Sequence, residues 1–80
     1  MKTTMELCLF CHNIRILRQH YKLSQKEMAQ QLHIGIHSLR MLEKGIIPQR
    51  MGIEIFFYIY RLFGFSPNEV VSIDIRQHLL

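Results

Sequence analysis

LSQKEMAQQLHIGIHSLRMLEKG, residues 23–45, holds the densest set of local folding signals in the chain. Ser24 is a favourable N-cap, and Glu27 three residues on can reach back to complete a capping box. Leu23 precedes the cap as a candidate hydrophobic staple to Met28. A helix is expected over about Gln25–Leu32, with Met28 and Leu32 inward and Lys26 and Gln30 outward. Ala29 is small where two helix backbones must approach closely. His33-Ile34-Gly35 form the turn. A second helix is expected from Ile36 to Lys44, with Leu39 and Leu42 inward at helical spacing. Gly45 then supplies a left-handed stop.

Two short helices joined by a tight turn make a helix-turn-helix pattern, whose second helix commonly enters the major groove of DNA. Charge placement points the same way. The 80 residues carry a formal net charge of +4. Residues 15–50 hold Arg15, Arg18, Lys22, Lys26, Arg40, Lys44 and Arg50 against only Glu27 and Glu43. The remainder sets Lys2, Arg61 and Arg76 against Glu6, Glu54, Glu69 and Asp74, so the positive field is concentrated around the two helices. A solvated basic surface is the plainer alternative, and charge alone does not separate the two.

Length and a hydrophobic fraction of 49% bound one small domain over residues 1–80 with a modest core, and exclude disorder. The N-terminal apolar run is broken by Glu6 and His12 and shows no secretory cleavage site. Ile53 to Phe65, the most apolar segment, carries Glu54 and Arg61 and is too short to span a bilayer. A cytoplasmic protein with reduced Cys8 and Cys11 is expected.

Cys8-Leu9-Phe10-Cys11-His12 matches the string that attaches c-type haem, but attachment of that kind requires export. A zinc site lacks a second pair of ligands. The thiols are expected to pack beside the core, with no metal and no cofactor. Nor do the five histidines and six acids converge on an active site, and no glycine-rich phosphate loop is present, so neither an enzyme nor a small-molecule substrate is expected.

The flanking helices follow from periodicity. Phe10, Ile14, Leu17 and Tyr21 mark one buried face of a helix from about Met5 to His20. Pro48 stops the reading helix from continuing. A fourth helix is expected over about Gly52–Phe63, ending at Gly64, with Ile53, Phe56, Ile59, Tyr60 and Phe63 inward. That leaves Ile55, Phe57, Tyr58 and Leu62 on other faces, so the helix is apolar nearly all round and a partner surface is implied. Ser66-Pro67-Asn68-Glu69 starts another helix. Ile73-Asp74-Ile75 alternates and suggests an extended tail, with residues 73–80 otherwise unplaced.

NIRILRQHYKLSQKEMAQQLHIGIHSLRMLEKG, from Asn13 to Gly45, resembles the Cro and phage-repressor-like helix-turn-helix family, also called the XRE family. The specific signature is I-x-x-L-R, then L-S-Q-x-E-x-A, then E-x-G, and the likeness extends to about Val71. It implies an all-α, lambda-repressor-like bundle of four to five short helices, with the helix-turn-helix at 24–44. It implies a sequence-specific transcriptional regulator, commonly a repressor, that binds double-stranded DNA as a homodimer. Carried over by position, Arg18 and Glu43 correspond to a structural ion pair, and Gln25 and Lys44 to phosphate contacts, with Lys26 and Arg50 as further phosphate candidates. Ile36, His37 and Met41 fall where members read base edges, with Ser38 and Arg40 beside them. Phe57, Tyr58 and Leu62 are candidates for self-association.

This chain departs from the pattern in places. His33 stands where glycine is usual, and Gly35 where Ser or Thr caps the reading helix. Ile36 and Met41 cannot make the bidentate hydrogen bonds that identify bases. Two accounts compete. Apolar groups can touch thymine methyls while His37, Ser38 and Arg40 supply hydrogen bonds. Alternatively the helix-turn-helix is a protein-protein interaction module, antitoxin-like or an anti-repressor partner.

Overall fold

Met5–His20, sixteen residues without proline or glycine, form the longest helix, α1. The computed structural model describes residues 5–79; Lys2, counted above among the cations, and both ends of the expected 1–80 domain lie outside them. Phe10, Ile14 and Leu17 of α1 are fully buried, joined by Cys11, Asn13 and Ile16. Tyr21 is not part of this face. Lys22 takes a positive φ of 55° and turns the chain, so Tyr21 falls off the helix, 47% exposed, with its ring against Phe63.

Ser24 and Glu27 form the capping box that starts α2, Gln25–Leu32, which buries Met28, Ala29 and Leu32. The chain turns at His33 and enters α3, Ile36–Glu43, through an N-cap Gly35 that offers no side chain. Leu39 and Leu42 are fully buried. The helix ends at Glu43, one residue short of the expected Lys44, which is its C-cap, and Gly45 at φ 84° lets the Ile46 N–H return to the Met41 carbonyl at 2.9 Å.

The fourth helix, α4, spans Glu54–Phe63, two residues shorter than expected at its start, and stops at Gly64 with φ 80°. Its inward direction is also rotated. Ile55 and Ile59 are buried, Phe56 and Phe63 half-buried, while Ile53 and Tyr60 stand exposed at 70% and 58%. The helix packs on α2 and α5, and that pair of neighbours selects the 55/59 ridge over the 56/60 ridge. Phe56 still reaches the core, its ring 5.0 Å from that of Phe10.

A second capping box, Ser66 with Glu69, and Pro67 in the first turn begin α5, Pro67–Ser72. The segment after it is not an extended tail. Asp74 caps a short 3₁₀ turn, Ile75–His78, and Ile75 is fully buried against α1. Asn13, fully buried, ties it down: its amide donates to the carbonyls of Val70 and Ile73 at 2.8 and 2.7 Å and accepts from the Ile75 N–H at 3.0 Å. The described residues form an all-α bundle of five helices and one 3₁₀ turn around the interior face of α1.

Candidate nucleic-acid interface

The angle between α2 and α3 is set at His33, whose φ of 58° and ψ of 40° lie in the left-handed region. An L-residue there costs about 1 kcal/mol relative to glycine. The imidazole stacks on Tyr58 of α4, centroids 4.1 Å apart and planes 19° from parallel, which offsets part of that cost. The Ile34 N–H closes the turn on the Ala29 carbonyl at 3.0 Å.

A forked ion pair holds the far end of α3. Arg18 on α1 donates Nε to Glu43 Oε2 at 2.7 Å and Nη2 to Oε1 at 2.9 Å, while its Nη1 donates to the Leu23 carbonyl at 3.1 Å. The two side chains retain only 18% and 7% of their exposure, so water screens the pair weakly. Gln25, at the start of α2, extends the network outward. Its amide donates to Glu43 at 3.5 Å and accepts from Arg40 at 3.4 Å. These two bonds are long and easily exchanged for a ligand.

Around α3, the side chains of His37, Arg40, Met41 and Lys44 are exposed and form one outer ridge. Ile36 is half-buried and packs on the core. Ser38 is half-buried too, and faces a cavity of about 290 Å³ between the α2–α3 turn and residues 50–55, where Arg50 and Tyr58 also line the wall. Lys26 and Arg50 are exposed beside the ridge. The sequence-derived set therefore divides: His37, Arg40 and Met41 stand together on the outer face, and Ile36 and Ser38 lie on its flanks.

The candidates for self-association do not share a face. Phe57 is 62% exposed and Leu62 42%, but five residues at about 100° each put Leu62 roughly 140° around the helix from Phe57. Tyr58 is already engaged by His33. Sequence reasoning missed Asn13 and the His33–Tyr58 stack. The signal for Asn13 was available, as a lone amide on an otherwise apolar helix face.

On α1, Cys8 is exposed and Cys11 buried; burial pushes the Cys11 thiol up from its ordinary value, with Cys8 adding to it. His12 Nε2 lies 3.5 Å from Asp74. No group of three or more His, Cys, Asp or Glu able to hold a metal ion occurs among the described residues. None of their helices is long and apolar enough to cross a membrane.

Two helices joined by a left-handed turn, the second locked to the scaffold by an ion pair and presenting an exposed outer ridge, define a helix-turn-helix protein. Residues 12–72 match the model of a family described as a helix-turn-helix domain, and the chain belongs to that family. Membership suggests a nucleic-acid-binding regulator. No curated protein and no solved structure matches the chain.

Proposed function

We propose that the protein is a sequence-specific, Cro/repressor-like (XRE-family) transcriptional regulator that acts in the cytoplasm and binds duplex DNA through α3. The observation that carries this reading is the exposed ridge of His37, Arg40, Met41 and Lys44 beside the N-terminus of α2. The two elements converge on one side of the molecule, because Arg40 and Gln25 are in hydrogen-bond contact. Lys26, Lys44, Arg50 and Gln25 take phosphates, with the α2 N-terminal amides adding a partial positive charge. His37 and Arg40 supply hydrogen bonds to base edges, and Met41 contacts thymine methyls. Ile36 and Ser38 border the groove. Arg18 and Glu43 touch no base; they keep α3 at a fixed angle. Two copies on half-sites about 34–36 Å apart give a symmetric complex.

A second reading has one observation in its favour: Met41 gives the ridge an apolar centre suited to a protein partner. Titrating random duplex DNA at low and moderate salt separates the two. Binding that weakens steeply with salt supports the DNA reading. No binding even at low salt transfers the ridge to a protein partner. Selection of bound fragments from a random duplex pool then tests the half-site spacing.

A further inference from the structure

The cavity beside the α2–α3 turn carries one charge of each sign, and the two do not meet. Arg50 and Glu54 both line it, yet neither makes a hydrogen bond or ion pair with any described residue. They are four positions apart, but α4 begins only at Glu54, so they do not sit on successive turns of one helix. The Glu54 carboxylate instead folds back over Gly52, where a side chain at 52 would collide with it. Gly52 has no positive φ, so its lack of a side chain serves space and not backbone conformation. Much of the remaining wall is apolar: Leu32 and Ile55 are fully buried, and Met51 and Tyr58 half-buried.

We propose that this cavity is a binding site for a free α-amino acid with an apolar side chain. The ligand carboxylate pairs with the Arg50 guanidinium and the ligand ammonium with the Glu54 carboxylate. Its side chain packs on Leu32, Met51, Ile55 and the Tyr58 ring. The unlike charges carry the choice. A simple anion is repelled by Glu54 and a simple amine by Arg50, so a ligand bearing both charges is the one that both groups favour. The volume of about 290 Å³ sits at the bottom of the range for small-molecule sites and suits one amino acid, not a peptide. The consequence for DNA rests on the function proposed above, in which Arg50 takes a phosphate. A carboxylate held on Arg50 withdraws that contact, so the amino acid acts as an effector that weakens duplex binding.

The test is an NMR chemical-shift titration of the full chain, without DNA, with L-phenylalanine, L-leucine and L-methionine in turn. At least one should saturate with a Kd between about 0.1 and about 3 mM, moving the amides of Gly35, Ser38, Gly52 and Ile55. For the tightest of the three, the matching amine and the matching deaminated acid each lack one charge; for L-phenylalanine these are 2-phenylethylamine and 3-phenylpropanoate. Each should bind about fivefold more weakly than the amino acid. Arg50→Met should abolish the preference over the amine, and Glu54→Gln the preference over the acid; both sites are exposed, so the fold is kept. No saturation by about 10 mM with any of the three, shifts away from the cavity, or a preference that survives its own substitution would each overturn the proposal. Where duplex binding is found, a saturating amino acid should lower the slope of log affinity against log salt by about 1. An unchanged slope overturns the effector role alone, because the site itself is tested without DNA.

Discussion

Replacing Arg18 with methionine removes the charge but keeps most of the aliphatic stem. Three hydrogen bonds are lost, two to Glu43 and one to the Leu23 carbonyl. Glu43 is then left with 7% exposure and only the long contact to Gln25. Removing one member of a fully buried pair costs about 3–5 kcal/mol, and Arg18 retains enough exposure to place this case near 3 kcal/mol. For a domain of this size each kcal/mol lowers Tm by roughly 4–8 °C, so a drop of about 12–24 °C is expected. Thermal denaturation followed by circular dichroism measures it. The companion change Glu43→Leu should cost a similar amount alone, while the double variant Arg18→Met/Glu43→Leu should recover most of the loss, because neither charge is then buried unpaired. An unchanged Tm for Arg18→Met, or strictly additive losses in the double variant, would refute the view that this pair fixes α3 on α1. DNA affinity of the single variant, measured well below its Tm, should fall while any preferred sequence stays the same.

Asn13→Ala leaves two carbonyls and one N–H unpaired in the interior and should cost about 3 kcal/mol in urea unfolding. The Ile75 amide should then exchange with solvent much faster; unaltered exchange would count against the clasp. His33→Ala keeps the strained backbone and loses the stack on Tyr58, a cost of about 1–2 kcal/mol, whereas His33→Gly should lie within about 0.5 kcal/mol of the parent. Denaturation midpoints give both values. Hydrogen bonds from the Ser24 and Ser66 caps, the backbone N–H first, hold the Glu27 and Glu69 carboxyls below their ordinary value of 4.5. A depressed folded-state pKa adds stability that is complete above the unfolded value and is lost as pH falls through the folded one. Stability should thus decline below about pH 4.5, and a Glu27→Gln/Glu69→Gln variant should decline less over that range. Equal declines would remove the capping boxes as its source. Lys44→Ala should weaken all duplexes alike and reduce the slope of log affinity against log salt by about 1, while His37→Ala should change sequence preference.

The helix boundaries were legible wherever a local device marks them. Ser24 with Glu27, Ser66 with Glu69, Pro67, Gly45 and Gly64 each act within a few residues, and each sits at the end it announces. The phase of α4 was not legible. A helix apolar on nearly every side has no periodic contrast, so only its neighbours decide that Ile55 faces in and Ile53 and Tyr60 face out. Residues 75–78 escaped for a different reason. Their anchor, Asn13, lies sixty-two positions earlier than Ile75, and an amide on an apolar face looks like an interruption of the pattern when its partners are out of view. In the candidate interface, counting along α3 separated Leu39 and Leu42 from the outer residues. It left Ile36 and Ser38 among those outer residues, since the packing of Ile36 on the core and the cavity that Ser38 faces against residues 50–55 are tertiary features.

Anchoring and display fall on different positions of α3. Leu39 and Leu42 fill the interior and Glu43 holds the lock, while His37, Met41 and Lys44 bear on neither. Those three sites can be exchanged for almost any polar or apolar residue at a cost within about 0.5 kcal/mol, the usual range for exposed positions without structural duties. If α3 reads DNA as proposed, changing its reading residues is therefore nearly free of stability loss, whereas changes at Ile36, which leans on the core, carry a packing penalty. A library randomised at 37 and 41, with Lys44 kept for its proposed phosphate contact, keeps most of its members folded.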